Sequence, residues 1–168
     1  MKIPVAQAQN HIGTVFSFRF APTGEQLGMD SDTSRRYGSI SVDGEAVHDG
    51  KSLEVRGHIH TTANFVCSRC LENAIVTLNV SFSERFAPVV QEAEEDEIVR
   101  YDGDEIDITD LIRDNLILAE PLNPVCADDC QGLCIACGIN LNADTCSCDR
   151  KPADPRLAVL QKLLSPKS

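Results

Sequence analysis

Residues Cys126 to Cys148 read CADDCQGLCIACGINLNADTCSC, six cysteines spaced C-x3-C-x3-C-x2-C-x8-C-x-C. Cys67 and Cys70 form another C-x2-C far upstream, which accounts for all eight cysteines. Two thiolates two residues apart can grip one tetrahedral metal ion, because the turn between them aims both sulfurs inward. Gly138 follows Cys137 directly. Glycine suits that place, since it reaches the left-handed conformation that lets backbone N–H groups approach the sulfurs. Eight thiolates suit two four-coordinate sites. The compact set is Cys134, Cys137, Cys146 and Cys148, joined by the polar loop GINLNADT. The second set is then Cys67, Cys70, Cys126 and Cys130, a long-range clamp. A single site within the C-terminal six, with Cys67 and Cys70 as free thiols, is the alternative. No His or Glu interrupts the run, Asp128 and Asp129 read as solvated, and no coordination position is left open. A closed all-sulfur set points to structural zinc rather than to a catalytic metal.

Disulfides are the competing use of so many cysteines. The N-terminal stretch MKIPVAQAQNHIGTVFSF lacks the features of a secretory signal. No apolar run is long enough to span a bilayer. The expected location is the cytoplasm, where thiols stay reduced and paired cysteines mean metal or redox chemistry. A thiol redox or metal-carrier protein using Cys67 and Cys70 is the alternative function. Against it, LENAIVTLNV after Cys70 is strand-like, whereas a thioredoxin-type thiol needs a helix there to lower its pKa.

Outward from the cysteines, the chain reads as strands followed by one helix. Phe16, Phe18 and Phe20 alternate along a half-buried strand. Gly24 to Arg36 reads as a polar loop. A strand with Ile40 and Val42 breaks at Gly44. Leu53, Val55, Gly57 and Ile59 share one face of a long strand, and Asp49-Gly50 before it signals a hairpin turn. Ile75, Val76, Leu78, Val80 and Phe82 mark the next strand, so CSRC sits at the turn of a second hairpin. Ile108, Leu111, Ile112, Asn115, Leu116 and Ala119 change to helical spacing, with Asp107 or Thr109 as cap and Pro121 and Pro124 beyond the end. Asp154-Pro155 opens a last short helix striped by Leu157, Leu160, Leu163 and Leu164. The expected fold class is α+β: an antiparallel β meander with a central helix, a Cys-rich zinc module and a short C-terminal helix. A β-rich body would cover residues 1–120, and the module with its helix 121–168.

The charge narrows the partners. The net charge of −11 opposes binding to bare nucleic acid, because phosphate contacts need a positive surface. Ten acids crowd Glu92 to Asp110 against one base, Arg100, while the segment from Asp149 onward carries five bases against two acids. No phosphate-cradling glycine motif and no nucleophilic Ser/His/Asp or Cys/His pairing stands out, which leaves no small-molecule substrate to name. His58 and His60 share one strand face and read as ordinary surface residues, and no catalytic residue is assigned.

CSRCLE, the acidic stretch, DITDLIRDNLILAEPLNPVC, the six-cysteine run and DPRLAVLQKL, in this order over roughly Phe65 to Leu164, resemble the YceD family of large ribosomal RNA subunit accumulation proteins. That resemblance implies a small non-enzymatic cytoplasmic protein of bacteria and plastids, needed for 23S ribosomal RNA to accumulate and for large-subunit assembly. The implied partner is a ribosomal protein or a large-subunit precursor particle. The charge distribution favours a basic protein meeting the acidic stretch, with direct ribosomal RNA contact through the basic tail as the alternative.

Overall fold

A computed structural model describes residues 1–5, 13–89 and 98–148. The acidic residues from Glu92 to Glu97, His11 and the leucine-striped segment Asp154–Leu164 lie outside the described residues. Five strands form one curled sheet in the order β2 (Val15–Phe20), β3 (Ser41–His48), β4 (Leu53–Val66), β5 (Asn73–Pro88) and β6 (Ile98–Tyr101). A separate two-stranded ribbon pairs β1 (Lys2–Pro4) with β7 (Glu105–Asp107). Two helices complete the described fold, α1 (Ser31–Arg36) and α2 (Thr109–Leu118).

The meander holds from β2 to β5, all antiparallel neighbours. It fails at β6, which lies parallel to β5 through Arg85↔Ile98 to Pro88↔Tyr101. The β1–β7 ribbon was also not legible, since three-residue strands carry too little alternation to stand out. The polar stretch read as a loop contains a 3-10 turn, Glu25–Leu27, and α1. Asp30 caps α1 by accepting from Asp32 N and Thr33 N at 3.0 Å each. Leu27 and Met29 from this stretch are buried in the core.

Gly44 does not break its strand; it continues β3 opposite Phe18 and Gly57, and Gly57 in turn faces Phe82. A Cβ on Gly44 would sit 2.6 Å from Phe18 Cζ, and one on Gly57 2.9 Å from Phe82 Cζ. Opposing backbone is closer still, Arg56 O at 2.5 Å for Gly44 and Asp43 O for Gly57, so strand and ring together leave no room for a side chain at either position. The core face carries Val42, Ala46, Leu53, Val55, Ile59, Leu78 and Phe82, with Ile112 and Leu116 of α2 in the same cluster. At the β3–β4 turn Asp49 Oδ1 accepts from Lys51 N (2.8 Å) and Ser52 N (2.7 Å), and Gly50 takes φ +103°. These backbone bonds hold the Asp49 carboxyl down at about 2.

The end of α2 is tied to the sheet. Glu120 receives Arg36 Nη1 at 3.0 Å and Tyr37 OH at 2.6 Å, and the Arg36 guanidinium lies 5.5 Å from the Phe65 ring centre. This anchor delivers the chain after Pro121 to the tip of the β4–β5 hairpin, where Ser68 N donates to Pro124 O at 2.8 Å.

Candidate metal centre

Two turns with the same hydrogen-bond scheme present the C-x2-C pairs. At the β4–β5 tip, Cys67 N donates to Glu72 O (2.8 Å) and Leu71 N to Cys67 O (3.0 Å). In the C-terminal run, Cys134 N donates to Ile139 O (2.8 Å) and Gly138 N to Cys134 O (2.8 Å). The residue after the second cysteine has φ +63° at Leu71 and +74° at Gly138. The expected glycine therefore serves one turn, while the other forces a leucine into the left-handed region, where Cβ crowds the backbone.

All eight candidate ligands converge into two groups of four. Cys67, Cys70, Cys126 and Cys130 form one, and Cys134, Cys137, Cys146 and Cys148 the other; within each group the sulfurs lie within 4.8 Å of one another. Cys67 Sγ is 3.8 Å from Cys130 Sγ, and Cys70 Sγ is 3.5 Å from Cys126 Sγ. Neither pair is at disulfide distance, about 2.05 Å, and all eight cysteines are free in this structure. They suit a tetrahedron with sulfur about 2.3 Å from its centre, whose edges are about 3.8 Å.

The sulfur environments fit a cation. Burial pushes the Cys67 thiol up, but backbone N–H groups of Cys70, Arg69 and Cys126 outweigh it and bring it down to about 6. At Cys134 the N–H groups of Cys137 and Ala136 lead the same fall to about 6. Cys126 is pushed up to about 12 by its Cys130 and Cys70 neighbours, and Cys148 to about 12, chiefly by Cys137. Four thiols at this spacing cannot all ionise against one another; a divalent cation removes that repulsion.

Side chains outside the cysteines lock the first group. Arg69 Nη1 donates to Asp128 O (3.0 Å) and Cys130 O (3.1 Å), while Leu133 N donates to Arg69 O (3.0 Å). Gly132 stands at φ +72°, and a Cβ there would meet Arg69 O at 2.9 Å. Asn142, in the loop of the second group, donates from Nδ2 to Cys130 Sγ at 3.3 Å and accepts Gln131 N at 2.7 Å. In the sequence this loop shows only turn formers, and nothing in its spacing assigns Asn142 to Cys130. The sole signal was an amide between two ligand pairs.

His58 and His60 stack at 6.2 Å on the outer sheet face, where His60 Nδ1 meets Asn79 Oδ1 at 2.8 Å. They join no metal-capable cluster among the described residues. Cys70 leads into β5, not into a helix.

Set beside known proteins, residues 55–164 match the family profile described as large ribosomal RNA subunit accumulation protein YceD. The chain belongs to the YceD family. The YceD match begins within β4 and takes in both four-sulfur groups. The chain is 30% identical to a maize chloroplast protein, large ribosomal RNA subunit accumulation protein YCED homolog 1, over 74% of this chain and 53% of that one. It is 28% identical to an uncharacterized protein of Mycobacterium tuberculosis over 96% of this chain and 87% of the relative. The uncharacterized protein YlbN of Bacillus subtilis is 28% identical over 88% of each. No solved structure matches the chain significantly. No helix among the described residues is long and apolar enough to cross a membrane.

Proposed function

We propose that this chain is a cytoplasmic, non-enzymatic factor for accumulation of 23S ribosomal RNA, acting by binding during large-subunit assembly. The YceD match carries the process, supported by the name of the maize relative. Two closed four-sulfur groups support the non-enzymatic part. Each offers zinc a full set of ligands, with no fourth position for water or substrate. Cys67, Cys70, Cys126 and Cys130 would hold one zinc ion, and Cys134, Cys137, Cys146 and Cys148 the other. Zinc would supply folding energy here and no chemistry.

The partner is a basic protein of the large subunit or its precursor particle, met by the acidic stretch. Part of that stretch is already engaged: Glu105 pairs with Lys2 at 3.2 Å, Asp110 with Arg113 at 2.8 Å, and Asp107 with the Met1 amino group at 3.0 Å. We take the acids from Glu92 to Glu97, the densest part of the stretch in the sequence, as the contact. Changing Glu94, Glu95 and Glu97 together to Lys should lower mature 23S ribosomal RNA in a cell that depends on the protein. Restoration to the parental level would move the working face to the basic tail and a direct RNA contact.

A further inference from the structure

Among the described residues, the outer edge of β5 is unpaired from Asn73 to Glu84. Gly38 N donates to Thr62 O, so the backbone of Thr62 faces away from β5. Its register partner Thr77 must then face away from β4. The bond from Cys67 N to Glu72 O fixes the same parity at the hairpin tip. By alternation, the N–H and C=O groups of Ile75, Thr77, Asn79, Ser81 and Ser83 all point out of the sheet. Among the described residues β6 reaches only Arg85 to Pro88, and no hydrogen bond meets those five backbones.

The strand itself carries no edge guard between Asn73 and Ser83. Sheet edges are normally protected by charge, proline, bulges or shortness. β2, the opposite edge strand, has six residues and carries exposed Arg19. From Asn73 to Ser83, β5 has no charged residue, no Pro and no Gly, in a chain that is 24% charged. On its core face Val76 and Val80 are only half-buried. An added strand would cover them with apolar side chains at every second position.

We propose that the free edge of β5 receives an extended, basic segment of a partner polypeptide as an added strand. The proposal rests on the reading above that the protein binds a basic component of the large-subunit particle. The segment alternates aliphatic residues, set against Val76 and Val80, with lysine or arginine. A second copy of this chain is disfavoured, because edge pairing would bring two net charges of −11 together.

The test uses the full-length, zinc-loaded protein and two synthetic decapeptides, alternating Val–Lys and alternating Val–Glu. Amide exchange is followed residue by residue. With the Val–Lys peptide, amides of Ile75, Thr77, Asn79, Ser81 and Ser83 should slow at least tenfold; those of Val76, Leu78 and Val80, which face β4, should not change. Thr77→Pro removes one outward N–H without touching the β4 ladder and should abolish the protection. The pair Thr77→Lys and Asn79→Lys should do the same if proline loosens the strand. Unchanged odd-numbered amides, equal protection by Val–Glu, or protection that rises with protein concentration alone would each overturn the proposal. Thr77→Pro protein that restores 23S ribosomal RNA as the parent does would also overturn it, leaving the assembly role standing. If the parent chain itself proves dispensable for 23S ribosomal RNA, the assembly reading falls and the peptide result still decides the edge.

Discussion

The two four-sulfur groups share a turn and differ in what they join. The Cys134 group closes a single loop, so its ligands are close before the rest of the chain folds. The Cys67 group spans 63 residues between Cys67 and Cys130 and fastens a hairpin tip to the segment after α2. Loop entropy alone separates them by only about 1 kcal/mol, since each doubling of loop length costs about 0.6 kcal/mol. The larger difference lies in packing. Cys67, Cys70 and Cys130 form a small buried core with Ala74, flanked by Val125 and Leu133, and only Cys126 of that group is exposed; in the other group only Cys134 is buried, Cys137 is exposed, and Cys146 and Cys148 are half-exposed. A four-sulfur group can thus be a local loop closure or a piece of tertiary core, and sulfur spacing alone does not distinguish the two.

The largest expected effect breaks the long-range group. Cys67→Ser should remove one metal equivalent and lower Tm by on the order of 10 °C, because metal-binding energy is folding energy there. Cys146→Ser should also remove one equivalent but lower Tm about half as far. Metal analysis and thermal melts of zinc-loaded protein check both, and equal Tm losses would erase the distinction. Next comes the link between the groups. Asn142→Leu should make metal at the first group about tenfold easier to strip with a chelator, since outer hydrogen-bond donors tune ligand affinity on that scale. Metal at the Cys134 group should stay put, and a uniform loss from both would mean that Asn142 only orders its own loop.

A smaller effect separates the two turns. Leu71→Gly should stabilise by about 1 kcal/mol in denaturant melts, because it relieves a left-handed leucine, and Gly138→Leu should cost a similar amount. Nothing lies within 4 Å of a Cβ on Gly138, so that cost is conformational alone. No gain at Leu71 would show that its side chain contributes contacts offsetting the strain. The smallest expected effect concerns the other end of β4, where a carboxylate closes the turn instead of sulfur. Asp49 is held at about 2 against an ordinary value of 3.8. Its stabilisation is therefore present above pH 4 and is lost as pH falls toward 2. The stability gap between parent and Asp49→Asn, measured by urea melts, should be constant above pH 5 and shrink below 4. A gap that persists at pH 2 would place the contribution elsewhere.

Strand and helix reading succeeded where alternation ran long, as in β4 and β5, or where period changed, as at α2. It failed at Gly44, because glycine reads as a break unless the rings of Phe18 and Phe82 are known to fill its place. It failed between Gly24 and Arg36, where only Leu27, Met29 and a capping Asp30 mark ordered structure. The match of Leu71 to Gly138 was invisible for a related reason. A left-handed residue is readable as glycine, but as leucine it shows only in the backbone.

Residue type and spacing by themselves showed the run of antiparallel hairpins and the acidic balance, and offered two four-sulfur ligand sets beside a single-site alternative. The hairpins and each C-x2-C pair are properties of neighbours in sequence, set by side-chain period and by the reach of a short turn, whereas the meeting of Cys67 and Cys70 with Cys126 and Cys130 is tertiary. Tertiary structure alone decided that β6 returns parallel, that Asn142 reaches Cys130, that Arg69 binds the carbonyls of Asp128 and Cys130, and that among the described residues β5 has no outer neighbour over most of its length. Each depends on groups far apart in the chain, whose meeting is fixed by burial and by the pairing of backbone polar groups across the whole fold.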